Sequence, residues 1–273
     1  MTSIFAWYGY ELPLREHLRL IKAAGFDSVM LWWSEEPTFA SYPGKEYLAQ
    51  PEYARDIGLG IENIHAPYWE ANGLWEDTAA GQAAFDYFLK CIDDCAVLEI
   101  PAMVMHASCG EAPPESEIGL RRFALLIERA EQKGVNIALE NMRRASQIEQ
   151  AGALLERFDS PRFGLCYDAG HYNCRLLRTP EADFLSRFGH RLMALHLHDN
   201  EGEIAGNNNV DQHRLPFDGT IDWPVQMRLI AETGYNGATA LEINNMGYEA
   251  LPPQEFLNQA YERAVKLDQL RTI

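Results

Sequence analysis

The feature that most constrains the fold of this chain is a strand–helix rhythm that repeats from end to end. Short β-branched or apolar runs alternate with longer segments whose apolar residues recur at helical spacing, which predicts eight strand-then-helix units in 273 residues. That number and that length are typical of a (β/α)8 barrel, a closed ring of parallel strands surrounded by helices. We therefore predict an α/β fold with one TIM barrel domain over residues 1–273, and an active site at the C-terminal ends of the strands.

The boundaries of these units follow from the apolar runs and from the glycines between them. The predicted strands are Ser3–Trp7, Ser28–Trp32, Ile61–His65, Ala102–His106, Asn136–Glu140, Phe163–Asp168, Met193–His198 and Ala238–Ile243. The predicted helices lie near 13–24, 45–57, 78–97, 116–133, 147–157, 181–188, 223–233 and 254–270. In "KAAGFDSVMLW", "EQKGVNIALEN" and "AETGYNGATALEI" a glycine able to adopt the left-handed conformation ends a helix, and a strand then begins.

A doubly wound open sheet is the alternative arrangement for alternating strands and helices. It predicts a glycine-rich phosphate-binding loop after the first strand, whereas the segment there reads "FAWYGYELPL". The barrel is therefore the better prediction.

Composition argues against several classes of protein. The sequence lacks a basic leader with a long apolar segment and lacks any run of about 18 apolar residues, so we expect no signal peptide, no membrane span and a cytoplasmic location. Five cysteines without paired short spacing are expected to be reduced thiols. The formal net charge of −17 disfavours nucleic acid as a partner, although a bound cation can reverse the field at one site.

Residues of the types that bind metals collect at the predicted ends of strands three to eight. They are His65, His106, Glu140, Asp168, His171, His196, His198 and Glu242, and Asp211 and His213 follow in the loop after strand seven. One such residue is usually an ordinary polar side chain, but six successive strand ends are hard to attribute to chance. Converging carboxylates and imidazoles need a compensating cation, and a mixed His/Asp/Glu set suits Zn²⁺ or Mn²⁺.

The residues two positions before these groups share a strand face with them. They are Asn63, Val104, Ala138, Cys166, Ala194 and Ala240. Small side chains suit the interior of a barrel, which is filled in layers, so we predict that they pack in the lumen beneath the site.

Six motifs, read in order, carry a resemblance to a known family. "HAPY", "VMHAS", "ALEN", "YDAGH", "HLHDN…VDQHRLPFDGTIDW" and "ALEI" resemble the xylose-isomerase-like TIM barrels, which include sugar isomerases and epimerases and the endonuclease IV branch of AP endonuclease family 2. The resemblance spans nearly the whole chain. It implies a core metal site at Glu140, Asp168, His196 and Glu242. The endonuclease IV branch has further ligands around three zinc ions, which match His65, His106, His171, Asp211 and His213.

The residues and the resemblance together predict a metal-dependent isomerase or epimerase of a sugar, sugar phosphate or related polyol. Two adjacent substrate oxygens would chelate Mn²⁺ or Zn²⁺, with Mg²⁺ or Co²⁺ as further options, while Glu140 and Glu242 move the carbon-bound proton. The residues predicted to contact substrate are His65, His171, His198, Trp33, Trp69 and Arg143. Ketose epimerases usually carry an "HxGExNR"-like segment whose Arg contacts substrate. Here "HLHDNEG" lacks it, so Arg143, Arg144 or Arg214 would have to supply the positive group.

Several interpretations stay open at this level. The aromatic cluster of Trp32, Trp33, Tyr68, Trp69 and Trp75 would either stack on a sugar or pack over the barrel mouth. A phosphodiesterase on abasic DNA has the full ligand set in its favour, but Glu70, Glu76 and Asp77 near one strand end would repel phosphates. A non-catalytic barrel that binds a metal or senses a ligand is the third reading.

A small carbohydrate is the expected partner, and a homo-oligomer is compatible with the sequence. Asp218 and Asp222 are predicted as turn and helix N-cap residues.

Overall fold

The computed structural model describes residues 1–34, 44–174, 183–202 and 210–271, and eight parallel strands form a barrel within it. The strands are β1 (Thr2–Phe5), β2 (Ser28–Trp32), β3 (Gly60–His65), β4 (Ala102–Met105), β5 (Asn136–Glu140), β6 (Phe163–Asp168), β7 (Leu192–His196) and β8 (Thr239–Leu241). Each strand from β1 to β6 pairs with the next, and β1 also pairs with β8. An isolated parallel bridge between Leu197 and Leu241 joins the ends of β7 and β8, which makes the ring nearly continuous and confirms the predicted fold.

Helices connect the strands on the outside of the barrel. The α-helices are α1 (Leu14–Ala24), α2 (Gln50–Asp56), α3 (Ala79–Val97), α4 (Glu117–Lys133), α5 (Ala145–Arg157), α6 (Ala169–Cys174), α7 (Phe184–Phe188), α8 (Trp223–Glu232) and α9 (Pro253–Arg271). Short 3-10 helices span Gly44–Ala49, Tyr68–Trp75 and Gly189–Arg191. In the part of the chain that the structure describes, no helix is both long enough and apolar enough to cross a membrane.

Some element boundaries differ from the prediction. The helix predicted near 45–57 is a 3-10 helix followed by α2, because Pro51 in the first turn of α2 lacks the N–H that a continuous helix would need there. Neither α6 nor the 3-10 helix Tyr68–Trp75 was predicted. The helix predicted near 181–188 is described as α7, and residues 181 and 182 lie outside the described residues. Strands β1, β4, β7 and β8 end earlier than predicted, so His106, His198 and Glu242 lie just beyond them.

The helix-ending glycines are confirmed. Gly25, Gly134 and Gly234 have φ values of 114°, 72° and 80°, in the left-handed region that favours glycine. Each lets the chain turn from a helix directly into the next connection, as the three sequence junctions predicted.

The lumen of the barrel is packed with small residues beneath the site. Val104, Ala138, Cys166 and Ala194 form a buried cluster of their own, against which Met193 packs. The prediction from strand parity is therefore confirmed for these four residues. Because this layer fills the barrel, a ligand can enter only above it, at the C-terminal ends of the strands.

Candidate functional site

A cavity of about 450 Å³ opens at the C-terminal ends of the strands. Its lining includes seven of the ten predicted metal-type residues: His65, His106, Glu140, His171, Asp211, His213 and Glu242. The ends of β1 to β3 add the aromatic rings of Phe5, Trp7, Trp32 and Tyr68, and the segment after β5, across the barrel, adds Met142, Arg143, Arg144 and Gln147. The cavity therefore has an aromatic side and a polar, cationic side.

The four predicted core ligands come together, and two of them, Glu140 and Glu242, line this cavity. Glu140, Asp168 and His196 end β5, β6 and β7, and Glu242 follows β8. One potential ligand atom of each lies within 4.8 Å of those of the other three. The Nδ1 atom of His196 is 3.4 Å from Glu140 Oε2 and 3.1 Å from Glu242 Oε2. Two carboxylates thus face the same imidazole nitrogen.

Glu140 is a carboxylate surrounded by imidazoles. It is 1% exposed, and its Oε2 lies 3.2 Å from His65 Nε2 and 3.0 Å from His106 Nε2. Its Oε1 lies 3.1 Å from His171 Nδ1. Burial by itself would raise the pKa of Glu140, but the imidazoles of His196 and His106 outweigh it and hold the pKa well below its usual range. Glu140 is therefore an anion at neutral pH.

Several buried polar atoms in this group fit a bound cation. Across the described ranges, Asp168 Oδ2 and both ring nitrogens of His196 have no hydrogen-bond partner. Burying such atoms without a partner is costly, and a divalent ion would compensate them. The Nδ1 atoms of His65, His171 and His213 face the backbone oxygens of Ala66, Asn141 and Glu242 at 2.8, 3.0 and 2.8 Å. A hydrogen on Nδ1 leaves Nε2 free as a donor atom for a metal, which is the usual orientation of metal-binding histidines.

A cation that binds this group would compete with the protons on its imidazoles. Burial would lower the pKa of His196, but the neighbouring Cys166, Glu242 and Glu140 raise it well above its usual value. The pKa of Glu242 is lowered in turn, because His196 outweighs the effect of burial. Protonated imidazoles thus neutralise the carboxylates, so a metal ion must displace these protons to bind.

Asp211 and His213 lie on the connection between β7 and α8 and line the cavity. Asp211 Oδ2 lies 3.3 Å from His171 Nε2 and 3.4 Å from Arg143 Nε, and Asp211 Oδ1 lies 3.4 Å from His213 Nε2. His213 adopts a φ of 46°, which is uncommon outside glycine and is found at functional sites. The pair predicted from "VDQH" therefore reaches the same site as the strand-end residues.

Asp199 stabilises the connection between β7 and α8, which contains Asp211 and His213. No role was predicted for it from the sequence. It is fully buried, and its carboxylate accepts hydrogen bonds from the backbone N–H groups of Asn200, Phe217 and Ile221 and from Trp223 Nε1, at 2.9, 3.0, 3.2 and 2.8 Å. Its backbone pairs with Arg214, the residue after His213. No local sequence signal distinguishes this carboxylate from a metal ligand, because its donors lie up to 24 residues away.

Three predicted substrate contacts do not line the cavity. His198 is completely buried. Trp33 is also buried, and its Nε1 donates to Asp94 over 2.9 Å. Trp69 packs against Trp32 and Tyr68, with ring centroids 5.3 Å apart in both pairs. Of the aromatic cluster, Trp32 and Tyr68 face the cavity. Trp33, Trp69 and Trp75 pack behind it, and Trp75 Nε1 donates to Ala107 O over 2.8 Å.

The three arginines predicted as possible sources of a positive group do not all lie at the cavity. Arg143 and Arg144 line the cavity, Arg144 bonding to Glu111 over 2.6 Å, whereas Arg214 pairs with Glu201 over 3.1 Å outside it. Asp222 caps α8 by accepting from Val225 N over 3.1 Å, which confirms its prediction. Asp218 lies in the preceding turn and accepts from the Tyr248 hydroxyl over 2.8 Å.

Comparison with known proteins agrees with the fold. The family model for the xylose isomerase-like TIM barrel matches residues 18–266. The fructoselysine 3-epimerase of Shigella flexneri is 24% identical over 96% of this chain and 96% of its own length. A solved IOLI protein with a bound zinc atom has 20% sequence identity and a TM-score of 0.77 over 98% of each chain. A solved fusion protein of a xylose isomerase-like TIM barrel with 4-hydroxyphenylpyruvate dioxygenase has 22% identity and a TM-score of 0.79. The match covers 99% of this chain and 43% of the fusion protein.

Proposed function

The chain belongs to the xylose isomerase-like TIM barrel family, and we propose that it is a metal-dependent isomerase or epimerase of a sugar or a related polyol. The observation that carries this proposal is the placement of two buried carboxylates, Glu140 and Glu242, beside one imidazole at the cavity. Proton transfer at carbon needs two such groups, one to remove the proton and one to return it. The similarity to fructoselysine 3-epimerase supports a sugar as the substrate.

The two carboxylates are suited to complementary roles. The lowered pKa of Glu140, which its imidazole neighbours cause against the effect of burial, keeps it in the ionised form that accepts a proton. Glu242 lines the cavity with a side chain that is 14% exposed, so it can reach a substrate carbon from the β8 side of the barrel. Epimerisation follows when one carboxylate removes the proton from one face of the carbon and the other, in its protonated form, donates its own proton to the opposite face.

The remaining residues bind and orient the substrate. A cavity of about 450 Å³ lies within the range of roughly 300–1,000 Å³ that is typical of small-molecule sites. Trp32 and Tyr68 offer ring faces to the apolar side of a sugar, and Arg143 and His171 offer donors to its oxygens or to a phosphate. A divalent ion held by Glu140, Asp168, His196 and Glu242 would polarise a substrate carbonyl and acidify the neighbouring C–H.

The test is deuterium exchange in D₂O across ketoses, polyols and sugar phosphates, with the protein loaded with Mn²⁺ or Zn²⁺. We expect a substrate whose carbon-bound hydrogen exchanges. We expect Glu140→Gln and Glu242→Gln each to reduce that exchange by roughly 10²–10⁴-fold, since each removes a proton-transfer group while preserving its shape. Glu115→Gln, a surface carboxylate paired with Arg157, is the matched control and should exchange normally. Undiminished exchange in both site variants would overturn the proposal.

A phosphodiesterase on abasic DNA is the second candidate, because the additional ligands also lie together. His65, His106 and Glu140 form one group, and His171, Asp211 and His213 belong to another. The net charge of −17 opposes this reading. Cleavage of an abasic duplex by the zinc-loaded protein, without exchange in any sugar, would favour it over the isomerase.

A further inference from the structure

We propose that the substrate carries an acidic group, a carboxylate or a phosphate, which the side chains of Arg143 and Arg144 bind at one side of the cavity. This inference rests on the proposed isomerase or epimerase function and names the chemical class of its substrate. Both arginines line the cavity, and both lie on the segment that leads from β5 into α5. A guanidinium is not a metal ligand, so the inference concerns residues outside the ligand groups.

The permanent cations of the cavity lie on one side of it. Within the described residues, the lining contains these two arginines and no lysine. The side across the barrel presents the aromatic rings of Phe5, Trp7, Trp32 and Tyr68. A sugar whose apolar face rests on these rings would therefore direct an acidic group towards the arginines.

Arg143 has part of its guanidinium available to such a group. Its ion pair with Asp211 joins Nε to Oδ2 over 3.4 Å, and its side chain is 33% exposed. The Asp211 carboxylate is shared, because it also lies 3.3 Å from His171 Nε2 and 3.4 Å from His213 Nε2. A pair through Nε leaves the two terminal nitrogens of the guanidinium, which can hold a carboxylate or a phosphate by two parallel hydrogen bonds.

Arg144 adds a second guanidinium at the start of α5. Its Nη1 pairs with Glu111 Oε1 over 2.6 Å, but the side chain of Glu111 is 73% exposed, and a pair so open to water is weak. Arg144 is also the N-cap residue of α5, and its side chain makes no hydrogen bond to the first turn. The partial positive charge at the N-terminus of a helix adds to that of the guanidinium. An acidic group of the substrate can therefore replace Glu111 as the partner of Arg144.

The loss of water on binding turns this charge into selectivity. A substrate that fills the cavity removes water from Arg143, and a guanidinium that loses water without gaining an anion is costly. A neutral sugar offers only hydroxyl groups to the arginines. A carboxylate or a phosphate offers charged oxygens, whose hydrogen bonds are roughly twice as strong. The site therefore favours the acidic form of a sugar over its neutral form.

The experiment is a calorimetric titration of the protein, in the presence of Mn²⁺, with D-fructose, fructose 6-phosphate and 5-keto-D-gluconate. We expect the wild type to bind one or both acidic ligands at least roughly 10-fold more tightly than fructose. Arg143→Gln should weaken the binding of that ligand by roughly 10–100-fold and leave the binding of fructose unchanged. Arg121→Gln, which removes an exposed arginine of α4, is the matched control and should bind all three ligands as the wild type does.

A preference for fructose 6-phosphate alone assigns a phosphate to the arginines, and a preference for 5-keto-D-gluconate alone assigns a carboxylate. Equal affinities for all three ligands, no binding of either acidic ligand, or an unchanged preference in Arg143→Gln would overturn the inference.

A second variant applies if Arg143→Gln does not fold. Arg143→Lys keeps the charge but not the planar fork, so it should retain part of the preference for the acidic ligand, and a full preference would contradict binding by the fork. The two proposals can also fail separately. Deuterium exchange in a neutral sugar without any acidic preference would overturn this inference and leave the isomerase. Acidic preference without exchange in any sugar would do the reverse.

Discussion

At the scale of single residues, two buried histidines of this chain have pKa values shifted in opposite directions. His196 is buried beside Cys166, Glu242 and Glu140, which raise its pKa well above its usual value despite the effect of burial. His17 is buried on α1 against the ring of Tyr8, with centroids 4.9 Å apart, and burial there lowers the pKa to about 4. The charge of the neighbours, and not burial alone, decides which form of an imidazole the fold stabilises.

His17 yields a prediction about stability and pH. The unfolded chain takes up a proton on this residue near pH 6.5, whereas the folded protein does so only near pH 4. The contribution of neutral His17 to stability is therefore complete above pH 6.5 and is lost as the pH falls towards 4. Between pH 7.5 and pH 5 we expect the wild type to lose about 2 kcal/mol more of its free energy of unfolding than His17→Gln.

Urea unfolding at the two pH values measures this difference. His190→Gln, which removes an exposed histidine, is the control and should show the same pH dependence as the wild type. Equal losses in His17→Gln and the wild type would show that His17 has the same proton affinity in both states.

At the scale of elements, α4 packs against the 3-10 helix Tyr68–Trp75 through a glycine. A Cβ atom on Gly119 would lie 2.3 Å from Cε3 of Trp75, whose ring is buried. In an exposed helix, replacing glycine with alanine stabilises by about 1 kcal/mol. We expect Gly119→Ala instead to destabilise by roughly 1–3 kcal/mol, because the indole must shift within a packed core.

Gly152 on α5 is the matched control for this substitution. A Cβ atom there would lie 3.0 Å from the end of the Arg187 side chain, which is flexible enough to move. Gly152→Ala should therefore be neutral or stabilising by up to about 1 kcal/mol, so the two variants should differ in sign. Thermal unfolding of both compares them directly, and a stable Gly119→Ala would show that the Trp75 contact can relax.

At the scale of the whole molecule, the proposed ligand residues lie on neighbouring parts of the barrel mouth. Glu140, Asp168, His196 and Glu242 come from four different strand ends, so an ion that binds all four joins segments that unfolding would separate. Zinc at about 100 times its dissociation constant should raise the free energy of unfolding by about 2.7 kcal/mol, and a chelator should reverse this. The gain should shrink as the pH falls, because protons compete for the same imidazoles and carboxylates.

Thermal unfolding with and without zinc tests this prediction. Asp168→Asn removes one core ligand and should reduce the zinc-dependent rise in Tm, whereas Asp159→Asn, a carboxylate outside the ligand groups, should not. A Tm that is independent of zinc and of chelator would contradict the metal site.

The sequence by itself determined the order of strands and helices and the position of nearly every metal-type residue. Apolar periodicity and helix-ending glycines such as Gly25 and Gly134 are local signals, so they can be read without the fold. In a barrel all parallel strands end at one rim, so residues such as Glu140 and Glu242 could be predicted to converge from their strand positions alone.

Only the tertiary structure decided which of these side chains face the cavity and which pack behind it. His196 and His198 are both fully buried and do not line the cavity, whereas His213 reaches the cavity from a connection. Asp199 looks like a ligand in the sequence and is instead the acceptor that holds that connection in place. These roles depend on contacts between residues far apart in the chain, which exist only once the ring of strands brings them together.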